Sequence, residues 1–279
     1  MNILARRKLY TNIERLLSDI VIDFGGGCSL PKAYIMACLI ATYRLKTTLD
    51  IGVYRGRSLF PQALAHKYFT GGVVYGIDPW DNEVAQENDN LELRERIKAF
   101  LQQVSLKEIG AEVIQYKTQR HLDDHCIIIP KKSEEAAEHF RHTTFGLIHI
   151  DGSHDTEVVM NDIELYLPLL SENGFLVMDD MSWECIQPAI EVVKSKCSLL
   201  YSRTDSQNDY AVFWNGTNEK ERNRLALELT RILADIQRFS QPRLISRLLA
   251  QLEFVFLIAL IPTMLMALFM AIVAMWIYG

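Results

Sequence analysis

Five cysteines, at positions 28, 38, 126, 185 and 197, form no CxxC pair and no metal-ligand spacing. An odd, scattered set of this kind excludes a disulfide framework and a zinc cluster, and it fits a reducing compartment with thiols used for packing. The GxGxxG turn of a nicotinamide-binding domain is also absent. There is no internal repeat and no low-complexity tract. The first residues, MNILARRKLYTNIERLLSDI, are partly basic but hold no apolar core of signal-peptide type. A basic excess is missing too. Residues 217–253 hold seven basic and five acidic groups and 254–279 none, so of the net charge of −6, residues 1–216 carry −8. That balance argues against nucleic acid as the main partner.

Charge is missing altogether from residues 254–278. A bilayer core needs about 20 apolar residues in a helix, so this run is long enough to span it. Pro262 is tolerated in such a helix, and Trp276 and Tyr278 suit an interfacial anchor. Arg243 and Arg247 precede the run, which agrees with a positive-inside orientation. The expectation is a single-pass, tail-anchored membrane protein with its catalytic part in the cytoplasm. Residues 217–253 should form amphipathic helices beside that membrane, with a basic face for anionic head groups. Within them Leu225, Leu229, Ile232, Ile236 and Phe239 follow coiled-coil spacing. Two heptads allow either a homo-oligomer or packing on the domain.

What is present is 49% hydrophobic residues in short bulky runs. Residues 1–45 read as a helical segment, broken at Gly25-Gly26-Gly27 and restarted at Ser29-Leu30-Pro31. From 46 to 216 strands alternate with helices. Strands are expected at 47–53, 73–77, 112–116, 146–150, 175–178, 199–202 and 211–214, and helices at 58–68, 91–105, 133–140 and 157–170. This rhythm predicts an α/β fold, a doubly wound, mostly parallel seven-stranded sheet. Only residues 203–210 join the last two strands, too few for a crossover, so the sheet should end in an antiparallel hairpin.

Chemistry gathers at strand ends, where open parallel sheets bind ligands. Asp50, Gly52, Gly56 and Ser58 make a strand, a glycine turn and a helix start, D-x-G-x-x-x-G-x-S. Glycines there let backbone approach a ligand, and Ser58 can cap the helix. Asp78 ends the second strand, where an acid grips a ribose diol. Asp151-Gly152-Ser153-His154 follows another strand, and Asp179-Asp180 follows the next, 28 positions after Asp151. Magnesium takes hard oxygen ligands of this kind, and a histidine can take a proton from a hydroxyl made more acidic by the metal. Asp151 and Asp179 have capping as their plainer role. Asp155 is expected at a helix start, Asp162 on a solvated face, and His149 in the core. His121 and His125 are expected in the loop after the third strand.

The first pattern resembles the opening motif of class I S-adenosylmethionine-dependent methyltransferases, over roughly residues 30–215. The resemblance implies S-adenosylmethionine as cofactor, with Asp78 on its ribose and Trp80 bordering the adenine or packing. The second pattern resembles the branch of macrocin-type sugar O-methyltransferases and cephalosporin-hydroxylase-like proteins. That likeness implies one magnesium ion on Asp151, Asp179 and Asp180 and His154 as catalytic base. The acceptor would be a hydroxyl of a small molecule, a glycan or a lipid-linked precursor. A hydroxylase-like enzyme on the same fold and a non-catalytic membrane scaffold are the alternatives.

Overall fold

The computed structural model describes residues 1–23, 27–87, 89, 91–205 and 208–240. Residues 1–236 make one compact unit; of the second, 237–279, only the helical residues 237–240 are described. The run 254–278 therefore lies outside the described residues. Among the described residues no helix is long and apolar enough to cross a membrane.

Seven strands form one sheet: β1 (Thr47–Ile51), β2 (Val73–Ile77), β3 (Cys126–Ile129), β4 (Phe145–Ile150), β5 (Leu170–Asp179), β6 (Ser198–Asp205) and β7 (Asn208–Trp214), in the order β3-β2-β1-β4-β5-β7-β6. The first five are parallel; β7 pairs antiparallel with both β5 and β6. The expected doubly wound sheet and its terminal hairpin are present. The strand order reverses between β1 and β4, and that switch point is where such sheets open a crevice.

One strand was misplaced. Residues 112–116 lie inside helix α5 (Leu106–Gln119), and the third strand is Cys126–Ile129. The apolar residues of α5 obey helical spacing, with Leu106, Ile109 and Val113 buried on one face and Ser105 accepting a hydrogen bond from the Glu108 N–H. The true strand is a four-residue edge with Ile127 exposed, too short to stand out by pattern. His121 and His125 consequently precede the third strand. His121 follows the C-terminus of α5 in the left-handed region, and the His125 Nδ1 lies 2.8 Å from the Gly72 carbonyl.

Two helices precede the sheet, α1 (Ile3–Ser18) and α2 (Leu30–Tyr43), and both belong to the same compact unit. Ser29 caps α2 as expected, with Pro31 in the first turn, and every residue from Lys32 to Ala41 is buried. The remaining helices are α3 (Leu59–Ala65), α4 (Leu91–Leu101), α6 (Ser133–Ala136), α7 (Thr156–Tyr166), α8 (Gln187–Lys196) and α9 (Glu219–Ser240). The pattern 133–140 breaks after Ala136 into a short 3-10 turn, and α8 carries no counterpart in the expected elements. In α9 the seam positions Leu225, Leu229 and Ile232 are buried. Asp235 pairs with Arg6 and Glu228 accepts from the Tyr43 hydroxyl, so this stretch packs on α1 and α2.

Candidate active site

Gly52, directly after β1, donates its N–H to Ile77, and the Asp151 N–H donates to Ile51. The ends of β1, β2 and β4 are thereby stitched together at the switch point. Gly52 has φ 83°, and a Cβ there would collide with the Asp151 carbonyl. Gly56, at φ 81°, lies against the Phe60 ring, where a Cβ would come within 2.4 Å of a ring carbon. Three non-glycine residues just past strand ends also take left-handed backbone: Tyr54, Trp80 and Asp180, with φ of 46°, 44° and 56°. Strain of this kind costs about 1–3 kcal/mol per residue and gathers at functional sites.

Two cavities flank this point. The larger, about 590 Å³, runs from Gly52 and Asp78 past Trp80 to Glu134 and Asp162. The smaller, about 270 Å³, is bordered by Arg57, Arg96, Asp179, Asp180 and Trp183. Gly52, Tyr54, Asp151 and His154 belong to both. The two chambers share a wall.

In the larger chamber Asp78 accepts the N–H groups of Tyr54 and Trp80, each at 2.8 Å. Burial nevertheless pushes its carboxyl up to about 6. Each carboxylate oxygen keeps a further lone pair for a diol. Trp80 is buried; its indole N–H donates to the Tyr54 carbonyl at 2.8 Å and its ring packs on Gly110 of α5. It borders the chamber and anchors the loop at once. Asp162, expected on a solvated face, is buried against this chamber, and burial raises its carboxyl to about 6. Asp155 does start α7, and it accepts the Asp89 N–H at 2.9 Å.

Asp50 borders neither cavity, and Ser58, which borders the smaller one, gives its hydroxyl to Asp50. Asp50 is fully buried; it accepts from the Ser58 hydroxyl at 2.7 Å and binds the His149 Nδ1. Ser58 spends its hydroxyl on Asp50, so it makes no side-chain cap on α3. The pair braces the turn from within the strand layer.

His154 sits on the shared wall between two carboxylates. Its Nδ1 is 3.1 Å from Glu87 and its Nε2 2.9 Å from Asp180. The Trp183 ring covers it at 4.7 Å between centroids. Burial would lower its pKa, but the bonds to Asp180 and Glu87 outweigh burial and hold it well above the usual histidine value. Glu87 also accepts the His154 backbone N–H at 3.0 Å, which ties the acidic segment after Trp80 to the β4 turn.

The three expected metal ligands border one cavity but pair with different cationic side chains. Asp180 turns to His154, while Asp151 and Asp179 share a cation: the Lys32 ammonium, 3.0 Å from Asp151 and closer still to Asp179. His149 is no mere core residue; its Nε2 lies 3.8 Å from Asp151 and 3.4 Å from Asp179. Against the cost of burial, Asp151 and Asp179 raise the lysine pKa well above its ordinary value. Burial opposes the ionised form of Asp179, yet Lys32 and His149 keep its carboxyl low; burial and the neighbouring Asp179 push Asp151 up. With an ammonium on two of its ligands and an imidazole on the third, the Asp151, Asp179 and Asp180 set does not fit a magnesium ion as arranged.

Residues 49–181 match the family described as a methyltransferase domain. Over these 133 of its 279 residues the chain is similar to a methyltransferase domain. No curated protein matches the sequence. Among solved structures the domain's fold is shared with cofactor-bound Rv0187 from MTB (11% identity, 76% of this chain and 91% of that one, TM-score 0.52). It is shared with the O-methyltransferase NovP (15%, 68% and 81%, 0.52) and with a putative caffeoyl-CoA O-methyltransferase from Staphylococcus aureus (17%, 73% and 92%, 0.50). At these identities the likeness is one of fold.

The site is thus partly the one the sequence announced. Gly52, Gly56, Asp78, Asp151, His154, Asp179 and Asp180 all lie at the strand ends expected of them. Lys32, Glu87 and His149 were missed as members. A signal existed for two of them: Lys32 is the lone charge in an otherwise apolar helix, and Glu87 lies in the acidic stretch WDNEVAQENDNL. His149 gave none, because a histidine inside a buried strand reads as packing.

Proposed function

We propose that this protein moves the sulfonium methyl of S-adenosylmethionine to a hydroxyl of a small-molecule, glycan or lipid-linked acceptor. The observation that carries the reading is the wall shared by the two chambers, made by Gly52, Tyr54, Asp151 and His154. The larger chamber, with Asp78 for the ribose, suits the nucleoside of the cofactor. The smaller suits the acceptor. A methyl group handed across that wall needs the acceptor oxygen in line with the sulfur, and such fixed placement supplies a large part of the rate.

In this reading the acceptor oxygen attacks the methyl carbon, the carbon–sulfur bond breaks and the cofactor leaves as the neutral thioether. The hydroxyl proton passes to His154, which borders both chambers and whose Nε2 lies 2.9 Å from Asp180. Glu87 holds the opposite nitrogen and stabilises the imidazolium. No step is assigned to magnesium. The uncharged run 254–278 supports a membrane anchor that would hold the domain near lipid-linked acceptors, with the catalytic part on the cytoplasmic side.

Calorimetric titration of the full chain in detergent tests the cofactor half. Binding of S-adenosylmethionine is expected, with affinity constant above about pH 7 and weakening as the pH falls through about 6, where Asp78 takes up a proton. Asp78→Ala should bind at least tenfold more weakly and lose that pH dependence. Equal binding by wild type and variant would refute the assignment of Asp78. Transfer of a labelled methyl group to an acceptor hydroxyl tests the other half.

A further inference from the structure

We infer that Lys32 is a tethered cation standing in for a divalent metal ion, so that this protein works without divalent metal and gains a metal site only when the lysine is removed.

The centre has the parts of a metal site. His149, Asp151 and Asp179 each offer a ligand atom within 4.8 Å of the others. The His149 Nε2 and one oxygen of Asp179 are buried and face each other at 3.4 Å, with no other hydrogen-bond partner among the described residues. The other nitrogen of His149 is held by buried Asp50, the kind of support that orients a metal-bound imidazole. What occupies the centre is a side chain. Lys32 is only 4% exposed at its side chain and touches both Asp151 and Asp179. An ammonium buried without partners would be very costly, and two carboxylates offset that cost.

The lysine is well fixed. It stands in the first turn of α2, whose start is pinned by Ser29: that hydroxyl accepts the Lys32 N–H and donates to Asn208 at 2.7 Å. A divalent ion on the same two carboxylates would stand only a few ångströms from a fixed positive charge, which repels it. Lys32 also precedes residues 49–181, so the substitute cation comes from outside the segment that matches the methyltransferase family. Because it borders neither chamber, Lys32 acts through Asp151 and Asp179 and is a positioning residue.

The test is calorimetric titration of the full chain in detergent with manganese(II) chloride, a readout that needs no turnover. Only its activity arm rests on the methyl-transfer reading. Wild type is expected to bind no stoichiometric Mn²⁺ and to keep its rate in excess EDTA. Lys32→Met keeps the stem and removes the charge. It should bind one Mn²⁺ at least tenfold more tightly than wild type and show a melting temperature that rises with Mn²⁺. Lys32→Arg should restore the metal-free behaviour. One-to-one Mn²⁺ binding by wild type would overturn the inference, as would a folded Lys32→Met that binds no better than wild type. If Lys32→Met does not fold, the wild-type titration decides alone. Absence of methyl transfer would leave the titration result standing.

Discussion

Gly52→Ala is expected to lower the melting temperature by about 6–12 °C and to abolish cofactor binding. At φ 83° an alanine is strained, and its Cβ meets the backbone carbonyl of Asp151, which no side-chain motion can relieve. The ends of β1 and β4 must part, breaking the Asp151 N–H bond to Ile51. Strain and lost packing together amount to about 3 kcal/mol or more, and a domain of this size loses about 2–4 °C per kcal/mol. The same displacement deforms the wall shared by both chambers, so binding should suffer more than stability alone explains. Thermal melts alongside S-adenosylmethionine titration read both. A variant that melts within about 2 °C of wild type and still binds would show that the strand ends have slack the structure does not display.

His154→Asn is expected to lower kcat by about 10²–10⁴-fold, the usual worth of a positioned base, while cofactor affinity changes far less. The pH profile carries the sharper signature. Between Asp180 and Glu87 the imidazole stays protonated above the usual histidine range, so wild-type kcat/KM should climb with pH through that raised value. Glu87→Gln removes one negative neighbour, which lowers the histidine pKa and moves the inflection to lower pH. A Glu87→Gln profile that matches wild type would sink the pairing as a functional device. Stability follows with opposite sense. The paired imidazolium stabilises the fold fully below the ordinary histidine value, and that contribution is lost as the pH rises through the folded-state value.

The elements that were legible in the sequence are those whose signal is local. Bulky runs ending in acid or glycine marked β1, β2, β4 and β5, because a strand buried on both faces must be apolar along its length. Ser29-Leu30-Pro31 marked the start of α2 through capping chemistry confined to three residues. The short exposed strand β3 failed for the opposite reason: four residues at a sheet edge carry too little pattern, and the helical stretch before it holds enough β-branched and aromatic residues to imitate a strand.

For the site, the sequence by itself determined that acids would stand at the carboxyl ends of adjacent parallel strands, with a glycine turn opposite them. That follows from strand direction and chain order alone. Only the tertiary structure decided which charge faces which. Asp179 and Asp180 are neighbours in the chain, yet the left-handed backbone at Asp180 sends one to Lys32 and the other to His154. Lys32 and Asp179 are 147 positions apart, and they meet because α2 lays its first turn against the end of the sheet. Charge pairing in a buried centre is set by distances of a few ångströms between elements remote in sequence, and local pattern carries no record of them.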